Sequence, residues 1–340
     1  QETTTRDDAQ ASSSRKHACR LLSEGLSKEE ITLLEHQNMV RDCLLTLADY
    51  SEPELEDEDR EYLGHDRPLQ VAINAVRPIA VDTLITYAVE RAKAAGFDGY
   101  EEEQESGIES DVRTCLIEKM DDPSTAVHCV FGKRLRNLLW VDRELVENNL
   151  DTLFPMEDDH ESRDRFSAAW AAYLSVSPWV NDLYHDLKDQ YFHSIELHGS
   201  EDRFTGHTEG NRFVAHALCS YIHTDEPLTS SDSLLPHFYE NTTPDTAGSA
   251  AWQLWRWADQ EPEFREQWPD IQELWEWRLD ESSDNYEAHS KEFGWFVEWL
   301  DLIPEKVEPT TIKSMLQGTI PILAYNRRGW KTLEAYLARW

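Results

Sequence analysis

Glycine is scarce in this chain: 13 in 340 residues, with no two adjacent. A backbone cradle for phosphate needs clustered glycines, and neither G-x-x-x-x-G-K-[ST] nor G-x-S-x-G occurs. Cysteine is limited to Cys19, Cys43, Cys115, Cys129 and Cys219, with no C-x-x-C pair. That leaves out zinc ribbons and dithiol redox motifs. Most of these thiols sit inside apolar helical patterns, as Cys115 does in VRTCLIEKM, which predicts buried free thiols in a reducing cytoplasm. No apolar run approaches the ~20 residues of a membrane span, and no signal-peptide pattern opens the chain. No segment shows the sustained alternation or the Val/Ile/Thr run of a strand.

Lysine is also short, at ten against 22 Arg. Acid is abundant: 67 Asp and Glu against 32 basic residues leave a formal charge of −35. An acid excess spread along the whole length and poor in Lys is the composition of halophilic proteins. Molar salt shortens the Debye length to about 3 Å, which screens the self-repulsion of such a surface. An acidic mimic of nucleic acid, or a cation-binding protein, is the rival reading, although the acids form no single block. Direct binding to DNA or RNA phosphates is disfavoured either way, because it needs clustered Lys and Arg. The 13 Trp, 12 Tyr and 11 Phe, with hydrophobic residues at 40%, predict packed cores rather than disorder.

The most regular stretch is 127–155, VHCVFGKRLRNLLWVDRELVENNLDTLFP. Val127, Phe131, Leu135, Leu138 and Leu139 recur at helical steps, and Val141, Leu145, Leu150, Leu153 and Phe154 follow. Asp142 is the expected N-cap between two helices, and Pro155 ends the second. Such a pair needs another on each side to bury its stripes.

The remaining segments fall into the same form. Residues 1–14 are polar and predict a frayed lead-in. A helix is expected over 28–48, with Ser27 and Glu30 as a capping box. Within 68–95, Pro78 suits the first turn of a helix after Val76 and Arg77, and Gly96 suits its C′ position. Acidic links at 52–61 and 100–110 follow from composition, with a possible domain break near 97–110. Further helices are expected at 111–120, at 164–175 capped by Ser162, and at 179–197 after Pro178. Others are expected at 211–222, 231–240, 244–259, 262–279, 285–300, 309–318 and 330–340. Helices of about 10–20 residues in succession predict an all-α chain, with 15–340 as one irregular helix-pair solenoid of the HEAT or tetratricopeptide kind. A compact helical bundle is the alternative. The chain starts at Gln1 and stops at Trp340 inside an apolar helical pattern, so it is expected to be a piece of something longer.

Candidate chemistry is thin. His193, Glu196 and His198, then His207, Glu209 and His216, resemble metal ligands in type. However, His193 and His198 are five apart, not the i, i+4 of H-E-x-x-H, and point to different faces. Acidic pairs such as Asp121–Asp122 and Asp158–Asp159 arise readily where about one residue in five is acidic, and none lies in an apolar setting. The basic groups Lys133–Arg134–Arg136 and Asn326–Arg327–Arg328 are expected to pair with neighbouring acids. The Trp cluster is the more unusual feature: Trp252, Trp255, Trp257, Trp268, Trp275, Trp277, Trp295 and Trp299. Packing between helix pairs accounts for most such residues. Trp257 and Trp277, each two residues from another Trp, face away from the main stripes and lead the candidates for a partner-binding surface. Trp252 and Trp295 follow.

Several segments resemble a known group of proteins. LQVAINAVRPIAVDTLITYAVE resembles an A-x-N-[ST]-x-R-G-x-A-x-E-A-L helix start, with Pro78 where that pattern has Gly. FGKRLRNLLWVDRELVENNLDTLFP resembles a G-x-x-L-x-x-L-x-x-L-D-x-x-W-V helix pair ending in LFP, with Leu145 in place of Trp. AWAAYLSVSPWVNDLYHDLKDQYFHSI is similar to the helix pair that follows, and LWEWRL to an LW-x-x-R element. Together they resemble the C-terminal helical-repeat region of large prokaryotic antiviral defence proteins. In those, a sirtuin-like, nuclease or similar effector, often with a STAND-type NTPase, precedes an α-solenoid. The resemblance implies a non-catalytic sensor or scaffold module that binds a foreign, for example viral, protein without cofactor or metal, and with catalysis elsewhere in the full-length protein. The other expectations weighed are a helical metal-dependent hydrolase using His193, Glu196, His207 and His216, and a purely structural scaffold.

Overall fold

Helix starts in this chain are made by side chains that accept backbone N–H groups. Ser124, Asp142, Asp159, Thr243, Asn285 and Asn326 each do so at an N-cap. The computed structural model describes residues 6–28, 33–53, 67–99, 106–198, 208–303 and 307–338. Among the described residues there are eighteen α-helices, three short 3-10 turns and no strand. The chain is all-α. It divides into two compact units, Gln1–Ser177 and Pro178–Trp340.

The first unit runs α1 (Arg6–Ser27), α2 (Leu33–Ala48), α3 (Arg67–Ala72), α4 (Val76–Ala94), α5 (Ser110–Met120), α6 (Thr125–Val141), α7 (Arg143–Glu147), α8 (Leu150–Leu153) and α9 (His160–Val176). Helix α4 is its axis. It packs against α1, α2 and α6, and α6 in turn packs against α9. Residues around the whole circumference of α4 are buried, from Val76 to Ala92. Two threonines tolerate that setting because their hydroxyls donate to the preceding turn, Thr83 to Ile79 O at 2.7 Å and Thr86 to Asp82 O at 2.9 Å. Gly96 closes α4 with φ 84°. Its N–H donates to Lys93 O and that of Phe97 to Ala92 O, both at 2.9 Å, which is the Schellman pattern.

The second unit runs α10 (Asn181–Asp186), α11 (Lys188–His198), α12 (Thr208–His223), α13 (Leu234–Asn241), α14 (Pro244–Gln260), α15 (Trp268–Glu281), α16 (Tyr286–Phe296), α17 (Pro309–Leu323) and α18 (Arg327–Leu337). The 3-10 turns are Pro262–Gln267, Ser282–Asp284 and Val297–Asp301. Helix α12 packs on α14, α14 on α16, and α16 on α18; α11 packs on α13, and α15 on α17. Sequence neighbours also meet, α12 with α13 and α16 with α17, and the unit is an all-α arrangement that suits either stacked helix pairs or a bundle.

Several local expectations need correction. Residues 6–14 are not lead-in but the first turns of α1. Tertiary ties hold them there: Ser12 Oγ donates to Glu52, and Lys16 Nζ lies 2.6 Å from the same carboxylate. The Glu30 half of the expected capping box lies outside the described residues. On α2, Met39 is 67% exposed, whereas Leu44 and Leu47 are buried. The 97–110 segment holds no unit boundary. Gly107 N–H donates to Val141 O at 3.0 Å and Ile108 is buried, so its end is packed into the first unit.

The helix expected to run on from Asp142 to Pro155 is broken after Glu147. There Asn149 Nδ2 donates to Leu145 O at 2.7 Å and competes with the helix ladder. Asp159, not Ser162, caps α9: its carboxylate accepts from Ser162 N at 3.0 Å and Ser162 Oγ at 2.8 Å. The long helix expected after Pro178 is interrupted at Leu187. Helix α17 continues through Gly318 and Pro321 to Leu323.

Candidate functional site

The eight clustered tryptophans separate by burial. Trp268, Trp275 and Trp299 are core residues, between 0% and 4% exposed. Trp275 also donates from Nε1 to Thr319 Oγ1 at 3.0 Å. The other five are half-buried. Three of them meet. Trp252 and Trp255 stand three residues apart on α14, and Trp295 of α16 lies across from both. Its ring centroid is 6.4 Å from Trp252, nearly edge-on, and 5.6 Å from Trp255 at a 35° tilt.

Glycines bring these helices close enough for that. A Cβ on Gly248 of α14 would stand 3.3 Å from Lys291 Cγ of α16. On the other side of α16, a Cβ on Gly329 of α18 would stand 2.8 Å from Gly294 Cα. That second crossing sets Arg328 against Trp295, with Cζ 4.2 Å from the ring centroid. Arg256, one residue after Trp255, lies 5.4 Å from the Trp252 centroid. The result is a continuous surface ridge, Arg328–Trp295–Trp255/Trp252–Arg256, drawn from three helices of one unit.

Its charges are only partly answered. Arg328 Nε lies 3.5 Å from Glu298 Oε1, an oxygen that also accepts from Thr332 Oγ1 at 3.0 Å. Lys291 pairs with Asp245 at 2.8 Å. Exposed Arg256 and Arg327 make no ion pair among the described residues. Large aromatics beside Arg are the composition that dominates binding energy at protein interfaces. A guanidinium over an indole gains about 0.5–1 kcal/mol at an exposed position.

Trp257 and Trp277 do not join this ridge. Trp257 rests on Phe264 at 5.4 Å, and Trp277 on Tyr239 of α13 at 5.5 Å. Both were expected to face away from the main stripes; each meets one aromatic, Phe264 in the turn after α14 and Tyr239 of α13. Of the four sequence candidates, Trp252 and Trp295 are brought together, with Trp255 as the third member.

Behind Trp277 lies the most buried charge pair. Arg278 of α15 donates to Glu292 of α16 through Nε (2.9 Å to Oε1) and through one terminal nitrogen (3.1 Å to Oε2). Glu292 is 0% exposed and Arg278 4%. His289 Nδ1 sits 3.4 Å from Glu292 Oε2. Arg278 also lies over the Tyr239 ring at 4.2 Å and the Trp277 ring at 5.2 Å. Burial raises the Glu292 carboxyl, but Arg278 and His289 more than reverse this and hold it below its ordinary range. Burial pushes the buried Tyr239 hydroxyl up, and Glu292 adds to that shift. The pair therefore keeps a fixed charge state and clamps α15 to α16.

In the first unit, a cleft of about 170 Å³ is lined by Arg20, Asp82 and Lys133 among apolar residues. Its charges are committed to one another. Arg134 grips Asp82 with two bonds (2.9 and 2.8 Å), Lys133 Nζ lies at 3.3 Å, and Arg20 donates to Ile73 O at 2.9 Å. Burial raises the Asp82 carboxyl, and the two cations more than offset it, leaving it below its ordinary value. The expectation that Lys133 and Arg134 pair with acids holds.

The acidic pairs are structural. Asp122 accepts from Ser124 N at 3.0 Å and lies 3.2 Å from Arg77, and Asp158 pairs with Arg163. Sequence reading missed Asp142 as a node. Besides capping Leu145 N at 2.9 Å, it is 0% exposed and accepts from Arg113 Nε at 2.7 Å and Ser106 Oγ at 2.5 Å. Of the histidines, His216 is buried with Nδ1 2.7 Å from Tyr191 Oη, and His193 Nδ1 stands 4.0 Å from Glu196. His207 and the side chains of His198 and Glu209 lie outside the described residues. Among the described residues no three His, Cys, Asp or Glu side chains gather as metal ligands do, and no helix is long and apolar enough to cross a membrane.

No protein-family model, no curated protein and no solved structure matches this chain.

Proposed function

We propose that this chain is a protein-recognition module in which stacked helix pairs display the Trp252–Trp255–Trp295 ridge to a partner. The observation that carries this reading is the gathering of three half-buried indoles and two stacked guanidiniums outside the core, on three different helices. Three other indoles of the cluster, Trp268, Trp275 and Trp299, are buried in the core. The charged clusters supply no complementary driving force for acid–base work: Asp82, Asp142 and Glu292 each have their charge met by a cation. On this reading the module is a non-catalytic sensor or scaffold. Its resemblance to the helical-repeat region of antiviral defence proteins makes a foreign protein the proposed partner, met in the cytoplasm, with catalysis in another part of the full-length protein. The acid excess fits a halophilic setting.

Affinity capture tests this. The full-length protein and its Arg256→Glu/Arg328→Glu variant are recovered from cells with and without viral challenge, and bound proteins are identified. The reading expects a viral protein on the unaltered protein that is lost from the variant. Identical bound sets from both, under challenge, would end it.

A further inference from the structure

The ridge also has a sign. The chain carries 67 acidic against 32 basic residues, and several of its buried or half-buried cations elsewhere are held by carboxylates. Arg77 faces Asp122, Arg113 faces Asp142, Arg134 faces Asp82 and Arg278 faces Glu292. At the ridge the cations are exposed instead. Arg256 is exposed with no ion pair among the described residues, and Arg328, 67% exposed, has only the 3.5 Å approach to Glu298. Where acids outnumber bases two to one, guanidiniums left without a carboxylate are ready for an incoming one. Between them, Trp252, Trp255 and Trp295 offer an apolar floor.

We propose that the ridge docks an acidic peptide segment of the partner that carries a large apolar or aromatic side chain: the side chain lies on the indoles, and the flanking carboxylates meet Arg256 and Arg328. This rests on the reading of the chain as a protein-recognition module. The fit is chemical. A guanidinium presents planar N–H pairs that match a carboxylate, and a stacked guanidinium loses less freedom in pairing. Single-stranded nucleic acid would use the same stacking and the same Arg. However, a continuous phosphate backbone needs a track of cations along the groove, and the surroundings here are strongly acidic. A peptide with a few carboxylates needs only the cations present.

The test uses the whole chain and a random-peptide display library, with the Arg256→Glu/Arg328→Glu variant alongside, and labelled oligothymidine as a separate probe. Enriched peptides should be net acidic with Trp, Phe or Leu, and their binding should fall at least about tenfold in the variant, since charge pairs at an interface are worth that much. Circular dichroism and the unfolding midpoint of the variant should be unchanged. Enrichment of neutral or basic peptides, no enrichment, or equal binding by the variant would overturn the proposal. So would oligothymidine binding tighter than any peptide. A library that yields nothing acidic, alongside a viral protein captured only by the unaltered full-length protein, would sink the acidic-segment inference while leaving protein recognition standing.

Discussion

No side chain separates Gly132 of α6 from Ala169 of α9. A Cβ built at Gly132 would stand 1.9 Å from the Ala169 carbonyl oxygen and 2.9 Å from its Cα, so the two helices touch backbone to backbone. Gly132→Ala should therefore force α6 and α9 apart and cost about 3 kcal/mol or more. Gly96→Ala, where the new Cβ would meet nothing but φ is 84°, should cost only about 1–2 kcal/mol. Denaturant midpoints of both variants check the order. A Gly132→Ala protein as stable as the parent would contradict the crossing.

The Arg278–Glu292 clamp makes a second prediction. Removing one partner, as in Arg278→Met or Glu292→Leu, strands the other in the core and should cost about 3–5 kcal/mol. The double variant Arg278→Met/Glu292→Leu should recover most of that loss, because no charge is left buried. Additive losses in a double-mutant cycle would mean that the pair is not coupled.

Acid stability should depend on His128. Its side chain is 0% exposed and its Nε2 lies 3.0 Å from Asp122 O. Burial, helped by the charge of Arg165, lowers its pKa to about 4. An unfolded His titrates near 6.5, so between about 6.5 and 4 the unfolded chain binds the proton and the folded one does not. Stability should thus fall as pH drops through that window, by about 3 kcal/mol in total, and this contribution should level off below it. Unfolding midpoints measured in steps from pH 7 to about 4.5, above the main carboxylate range, should show the slope in the parent and lose it in His128→Gln. Equal slopes in both would contradict it.

Local features were the legible ones. Asp142 as a cap, Pro78 in the first turn of α4 and Gly96 at its C′ position follow from residue type and one or two neighbours, and the structure has all three. The all-α class follows from periodicity. What sequence could not supply was decided by crossings between helices. Trp257 and Trp277 pointed outward when each helix was read by itself, but each meets a ring from another element, Phe264 or Tyr239. Arg328 lies 73 positions from Trp255, and only the Gly248 and Gly294–Gly329 crossings place both beside Trp295. The break at Asn148–Asn149 turned on a side chain that bonds back to Leu145 O, which apolar spacing does not register.

The most direct measurement of the central claim is the affinity of the captured partner for the whole chain and for two ridge variants, Trp255→Ala and Arg256→Glu, by calorimetry. If the ridge is the recognition surface, Trp255→Ala should weaken binding by about 2 kcal/mol, roughly thirtyfold, as buried aromatic anchors do. Arg256→Glu should weaken it too, with its unfolding midpoint near the parent's. Unchanged affinity in both variants, in proteins that remain folded, would contradict the account.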